Sequence, residues 1–444
     1  MSFDLGSGRT PESSAADRLI ISYETATTSV FALKEAAVGL CNVIWLVDLS
    51  EPGMMQTARL LRRLGTVVDV CGLSVPQMID TLGTLGPTGI LTVTDRRMRV
   101  LAAIAEAFGL RFHSPVVAER ITDKFEQRKA LQNAGLRVPP FREIPAILSA
   151  AEVDELAAVV PYPAVLKPRT GDGSRRVQRI DNPDELIRVI GSPEARSVEP
   201  AGWMVESFLE SSERLVSRFA DVVSVESFVT DGTVHHLAVT GRFAFAEPFR
   251  ETGSVLPSDL SPVDSEEATR IAGNAIRALD LRHGCVHTEL KFSSDGPSIV
   301  EVNGRVGGGI PELIRLAGEA MNLHRFAIEL ALGRPVSLRP TLHFDRIAYR
   351  RIVTAPLEAR QITAMSGLDD LIELPGMDEV IINRHPGDQV DWQLGLQELV
   401  CSVFGSAESH AAVAEMCDRI DKMVKIEYEG ARAVTDADVR GATV

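Results

Sequence analysis

Cysteine pairs, basic tracts, long apolar runs and abundant aromatics are all missing from this sequence, and each absence narrows what the chain can be. The five cysteines, Cys41, Cys71, Cys285, Cys401 and Cys417, are widely spaced and form no C-x-x-C pair. That speaks against a zinc ribbon or a redox dithiol and for reduced cytosolic thiols. Lysine and arginine do not occur in runs, and the formal charge is −15; nucleic-acid binding, which needs grouped cations against phosphates, is disfavoured. No stretch reaches the roughly 18 uninterrupted apolar residues of a membrane span. The N-terminus also lacks the basic-then-apolar order of a signal peptide, so a cytoplasmic protein with no membrane partner is expected. Aromatics are sparse, at 5% of the residues.

What is present is an ordinary globular composition, 45% apolar and 24% charged over 444 residues, enough chain for roughly three domains. Residues 1–17 and 431–444 are polar and aperiodic and read as loose tails. Apolar runs at Leu19–Tyr23, Val43–Val47, Val67–Val70 and Ile90–Val93 alternate with helical segments, the pattern of a parallel sheet with crossover helices. Gly6-Ser7-Gly8 has Pro11 where a dinucleotide fingerprint would place its third glycine. A helix from Thr122 or Asp123 to Gly135 is expected to carry Phe125, Ala130, Leu131 and Ala134 inward. The strand Ala164–Lys167, a glycine-rich loop and a helix over Pro183–Ile190 make a small α+β module. Strands follow at Trp203–Val205, Val222–Val229 and His235–Arg242, then a helix at Ser265–Leu279. A hairpin of His287–Phe292 and Ser298–Asn303 closes around an Asp-Gly turn. Gly307-Gly308-Gly309 leads into a helix with Pro311 in its first turn. Beyond Pro340, strand-like runs at Ile347–Val353 and Glu379–Asn383 and a helix at Ala411–Val424 suggest a C-terminal domain of its own.

The closing hairpin carries the strongest chemical signal. Side chains alternate along a strand, so Glu301, Asn303 and Arg305 share one face, and His287 and Glu289 share a face of the partner strand. Two carboxylates and an amide oxygen suit magnesium, which keeps water and phosphate oxygens in the rest of its shell. A solvated strand face would carry the same acidic residues, but Gly304 and Gly307–Gly309 add room for close backbone approach that a plain surface strand does not need. A second signal is Lys167 followed by Pro168-Arg169-Thr170-Gly171-Asp172-Gly173-Ser174, a strand-end lysine and a small-residue loop able to cover phosphates. It departs from the Walker order, in which lysine follows the glycines, and an exposed hairpin loop would look similar. Lys124 opens its helix, where phosphate oxygens are favoured. Glu206-Ser207-Phe208-Leu209 follows a buried strand and could sandwich a purine.

In this order the pieces resemble the ATP-grasp superfamily of carboxylate–amine ligases, over roughly residues 18 to 330. The resemblance implies α/β and α+β domains in the ATP-grasp architecture: a tail (1–17), an N-terminal parallel α/β domain (18–118), a small lid subdomain with its preceding helices (119–205), a central mixed-sheet ATP-binding domain (206–335), a C-terminal α+β domain (336–430) and a second tail (431–444). It makes Lys124 in TDKF and Lys167 in AVLKPRTGDGS the ATP-binding lysines, with Ser174 in the loop over the triphosphate. Glu206, Ser207, Phe208 and Leu209 in VESFLE become the adenine hinge, and Glu226 in SVESFV the ribose contact. Glu289, Glu301 and Asn303 become the ligands of one or two Mg2+ ions. Arg305 is the catalytic and substrate arginine, although many relatives read N-P-R where this chain has Asn303-Gly304-Arg305. His287, Glu251, Gly307 and Gly308 join Arg305 at the substrate. SVESFVTDG, FRETGSVLPS and HTELKF look most like amino-acid and peptide ligases of natural-product biosynthesis, including the pheganomycin-type peptide ligases. The implied reaction joins an amino-acid-like carboxylate to an amine through an acyl phosphate, releasing ADP and phosphate, with small-molecule partners and a homodimer as one arrangement. A carboxyphosphate-forming enzyme of the biotin-carboxylase or purine-pathway kind is the alternative within the class. A nucleotide-binding module without turnover is the alternative outside it. Glu210–Ala220 is longer than the usual connection between hinge and strand.

Overall fold

The first four strands, β1 (Arg18–Ser22), β2 (Asn42–Val47), β3 (Thr66–Asp69) and β4 (Gly89–Thr92), are short runs rich in Val, Ile and Leu. All their pairings are parallel, in the order β3-β2-β1-β4. Apolar residues on both faces enter separate cores, as strands covered by crossover helices must. Strand order reverses beside β1, so the carboxyl ends of β1 and β4 open into a crevice, and Glu24, Val93 and Thr94 reach it there. The computed structural model describes residues 17–24, 28–145, 149–192, 201–211, 219–336 and 342–430. The expected tails apart from Asp17, the Gly6-Ser7-Gly8 stretch and most of the Glu210–Ala220 connection lie outside the described residues.

The helix Lys124–Asn133 starts where expected, with the Asp123 carboxylate accepting from the N–H groups of Phe125 and Glu126. Its inward face is different. Lys124, Gln127, Arg128 and Leu131 are buried, whereas Ala134 is exposed and Phe125 packs edge-on against Phe141 at the rim. The reason is partnership: Gln127 bonds both the N–H and the C=O of Val302, and Arg128 reaches Glu206 and the Val300 carbonyl. A helix lying over polar strand ends buries polar groups that those ends satisfy.

β5 (Phe141–Ile144), β6 (Ala164–Pro168), β7 (Gln178–Ile180) and β8 (Trp203–Ser207) form a small antiparallel sheet in the order β5-β8-β6-β7. The third sheet holds eight strands in the order β13-β12-β9-β10-β11-β14-β17-β16. Their ranges are β9 (Phe219–Thr230), β10 (Thr233–Phe243), β11 (Gly253–Leu256), β12 (Gly284–Ser293), β13 (Gly296–Asn303), β14 (Ile347–Val353), β16 (Met377–Ile382) and β17 (Cys401–Ala407). β15 (Gln361–Ser366) pairs separately with β18 (Lys425–Glu429). The C-terminal strands therefore extend the central sheet, because β14 pairs with β11 over four residues across the expected boundary at 335 and 336. Among the described residues, no helix is long and apolar enough to cross a membrane.

Candidate active site

The small sheet, the central sheet and the strand ends of the N-terminal sheet enclose one cavity of about 760 Å³. β12 and β13 pair so that Glu289 lies directly opposite Glu301 and His287 opposite Asn303. All four line the cavity, together with Arg305, Gly307 and Gly308. A Cβ on Gly307 would come within 2.5 Å of His287 Nδ1, so the backbone can cross this floor only as glycine.

His287 is held between carboxylates, with Nδ1 at 2.9 Å from Glu226 and Nε2 at 3.2 Å from Glu289. Burial alone would lower its pKa, but Glu226 and Glu289 outweigh it and push it up to about 9. Between these two carboxylates the imidazolium form is favoured. For Glu289, burial raises the pKa, yet the hydrogen bond and charge of His287 together with Arg242 and Arg305 bring it down to about 2. Glu226 does not reach the cavity as a ribose contact would: it is 3% exposed, sealed behind His287 and bonded by the Ser224 hydroxyl at 2.7 Å. Its place on β9, opposite His287, gives it an imidazole instead of a sugar.

Two lysines enter from the other wall. Lys124 Nζ lies 2.9 Å from Glu301 Oε1 and donates to the Gly171 carbonyl at 2.6 Å, joining the hairpin to the glycine-rich loop. Burial would lower its pKa, but Glu301 together with Asp95 and Asp172 raises it on balance. Lys167 pairs with Glu206, which also accepts from Arg128 at 2.9 Å. Ser174 lines the cavity within the loop, as do Glu206, Ser207, Phe208 and Leu209 on the β8 side and Glu251 on the far side. The N–H groups of Ser207 and Phe208 already donate to the carbonyls of Pro140 and Pro163. That of Leu209 has no acceptor among the described residues. Phe208 lies under the Arg179 guanidinium, 4.7 Å from its ring centre.

The oxygen set offered by Glu289, Glu301 and Asn303 is hard and already holds a cationic group, the Lys124 ammonium. No group of three or more His, Cys, Asp or Glu side chains among the described residues could hold a metal ion alone. The set fits Mg2+ completed by phosphate oxygens.

Sequence reasoning missed Arg128, Asp95, Arg242 and Arg350. Asp95, after β4, pairs with Arg305 at 2.7 Å, and Arg242 and Arg350 line the cavity on β10 and β14. The alternation of His235–Arg242 put Arg242 in a strand without singling it out.

The family profile of the ATP-grasp domain matches residues 160–312, the stretch that carries Lys167, Glu289, Glu301 and Asn303. An uncharacterised protein of Sinorhizobium fredii is 27% identical over 68% of this chain and 60% of its own length. Alanine–anticapsin ligase of Bacillus subtilis is 25% identical over 55% of this chain and 54% of its own. The chain thus spans less than two thirds of these relatives. The crystal structure of an L-amino acid ligase from Bacillus licheniformis superposes with a TM-score of 0.74 over 94% of this chain and all of that one, at 20% identity, and so shares the fold. Residues 160–312 thus match an ATP-grasp domain, and that segment supplies the paired carboxylates and Lys167 of the cavity, while Lys124 comes from the helix before it.

Proposed function

We propose that the chain is an ATP-dependent carboxylate–amine ligase that makes an amide bond through an acyl phosphate. The observation that carries this reading is the register of β12 and β13, which sets Glu289 against Glu301 in one cavity with Lys124, Lys167 and Arg305.

A carboxylate is a poor electrophile, and its oxygen is a poor leaving group. Transfer of the ATP γ-phosphoryl group to it removes both obstacles. Lys124 and Lys167 offset charge on the transferring group, and the loop Thr170–Ser174 covers it. Phe208 and Leu209 sandwich the base, with the Leu209 N–H available to its edge. Glu289, Glu301 and Asn303 would hold Mg2+, which supplies neutralisation of the phosphate oxygens. Arg305, anchored by Asp95, presents its fork to the tetrahedral oxyanion and the departing phosphate as the amine attacks. The amine arrives deprotonated or gives its proton to Glu251, which lines the cavity, while His287 is held between Glu226 and Glu289.

The test is phosphate release with Mg-ATP against amino acids and short peptides, singly and in pairs, with bicarbonate alone as a separate arm, followed by product mass. ADP formation that needs a pair and yields their summed mass less water is the expected result. Turnover on bicarbonate without an amine would make the enzyme a carboxyphosphate former instead. Glu301→Ala is expected to lower turnover by about 100-fold or more while leaving the circular dichroism spectrum unchanged; retained activity would sink the metal assignment.

A further inference from the structure

Arg242 and Arg350 occupy the same face of the central sheet as the carboxylate hairpin. Arg242 on β10 lies opposite Ser254 on β11, and Ser254 lies opposite Arg350 on β14. Three adjacent strands thus put two guanidinium groups on either side of one short hydroxyl side chain. The strand spacing sets their Cα atoms about 10 Å apart, within reach of a common planar anion. Both arginines line the cavity.

Their partners leave them unspent. Arg305 is paired with Asp95 at 2.7 Å. Arg350, by contrast, donates from Nε and Nη2 to the single Ser402 hydroxyl at 3.2 and 3.0 Å, and no carboxylate lies within 4 Å of it among the described residues. Arg242 is 4% exposed, and its Nε and Nη1 have no hydrogen-bond partner among the described residues. Its nearest carboxylates are Glu251 at 3.5 Å and Glu289 at 3.8 Å, and Glu289 is already engaged by His287. Buried guanidinium N–H groups left without acceptors are destabilising. An arginine kept only to brace the sheet would be expected to find them.

We propose that Arg242 and Arg350 form a carboxylate subsite that binds the free carboxylate of the amine-bearing substrate, so that the acceptor is an amino acid. The proposal rests on the ligase reading for the identity of the substrate, and on the geometry alone for the anion. A planar carboxylate matches the fork of each guanidinium. Held there, an amino acid has its amine within reach of Glu251, which lines the same cavity 3.5 Å from Arg242.

The subsite is read first without turnover. Crystals of the full chain grown with Mg-ADP and soaked in sodium bromide are expected to show an anomalous peak within hydrogen-bond distance of both guanidinium groups, absent in Arg350→Gln. No such peak in the wild type overturns the subsite. A peak in a protein that turns over no amine keeps the anion site and overturns the ligase reading with the acceptor assignment. In the active enzyme, KM for the pooled common L-amino acids should lie about tenfold or more below that for their α-carboxamides, the loss expected from one charge-assisted bond. In Arg350→Gln that ratio should fall to about twofold, with the KM for ATP unchanged, and Arg350→Lys should recover part of it and so exclude misfolding. A ratio untouched by the substitution, or a loss of ATP affinity in its place, overturns the proposal and in the second case assigns the pair to nucleotide phosphate.

Discussion

Arg128, Glu206 and Lys167 make a row of alternating charge beneath the β8 wall of the cavity, and Arg128 is the member with no access to it. It is 1% exposed, and it fixes Glu206 through Nε while Nη2 bonds the Val300 carbonyl at 2.5 Å, one residue before Glu301. Without Arg128, Glu206 keeps Lys167 as its counter-ion but the Val300 carbonyl and one Glu206 oxygen lose a buried donor, a loss of about 1–3 kcal/mol for each group left unsatisfied. Arg128→Met should therefore lower stability in urea by that order and also raise the KM for ATP, because Glu206 and Lys167 lose their anchor. A loss under about 1 kcal/mol would mean that the pair is solvated and not structural. This residue was invisible to hydrophobic patterning, which counts arginine as outward. The residues at the hairpin were legible for the opposite reason: alternation with period two alone puts Glu289 and Glu301 on matching faces, and the register does the rest. Glu226 was misjudged because the sequence shows that it lies in a strand, but not that His287 stands between it and the cavity.

The glycine-rich loop owes its position to a segment remote in sequence. In the short helical stretch Trp392–Glu398, Leu396 N–H donates to the Gly173 carbonyl, and the Gln393 carbonyl accepts from Arg176 N–H, both at 2.9 Å. Between them Gly395 has φ 59°, and a Cβ there would lie 2.0 Å from the Gly173 oxygen. Gly395→Ala should push the loop off its seat. Limited proteolysis should then cut within residues 170–177 unless ADP is present, and the KM for ATP should rise about tenfold, as for the loss of a hydrogen-bonded contact worth ~1.4 kcal/mol. An unchanged cleavage pattern would show the contact to be incidental. Most elements were readable from periodicity, among them the helix Pro183–Ile190 and the strand Ile347–Val353, which match to the residue. β17 was not, since Cys401–Ala407 mixes small and polar residues that are buried only because β14 and β16 flank it. The clasp is a tertiary contact between two loops, for which no local pattern exists.

The N-terminal sheet meets the carboxylate hairpin at a joint that is expected to be sensitive to acid. His113 is buried there with Nε2 at 2.9 Å from the Gly304 carbonyl. A carbonyl only accepts, so Nε2 carries the proton; Nδ1, without a partner, is the nitrogen that would have to take a second one. Burial, assisted by the nearby His283 charge and opposed by the Gly304 hydrogen bond, brings the pKa of His113 down to about 4. His324, on the cavity wall, is likewise lowered to about 4 by burial. The unfolded chain titrates these imidazoles near 6.5, so between the two values it binds more protons than the native state. Their contribution to stability is complete above about pH 6.5 and is lost as pH falls towards 4. Between pH 7.5 and pH 5 each histidine should remove about 2 kcal/mol of unfolding free energy. His113→Gln, which keeps an N–H for Gly304 without a titrating ring, should lose about 2 kcal/mol less over that interval than the wild type, and a double variant with His324→Gln about 4 kcal/mol less. Parallel wild-type and His113→Gln curves of urea midpoint against pH would show that His113 titrates alike in the native and unfolded states, and the joint would then not be the origin of the acid sensitivity.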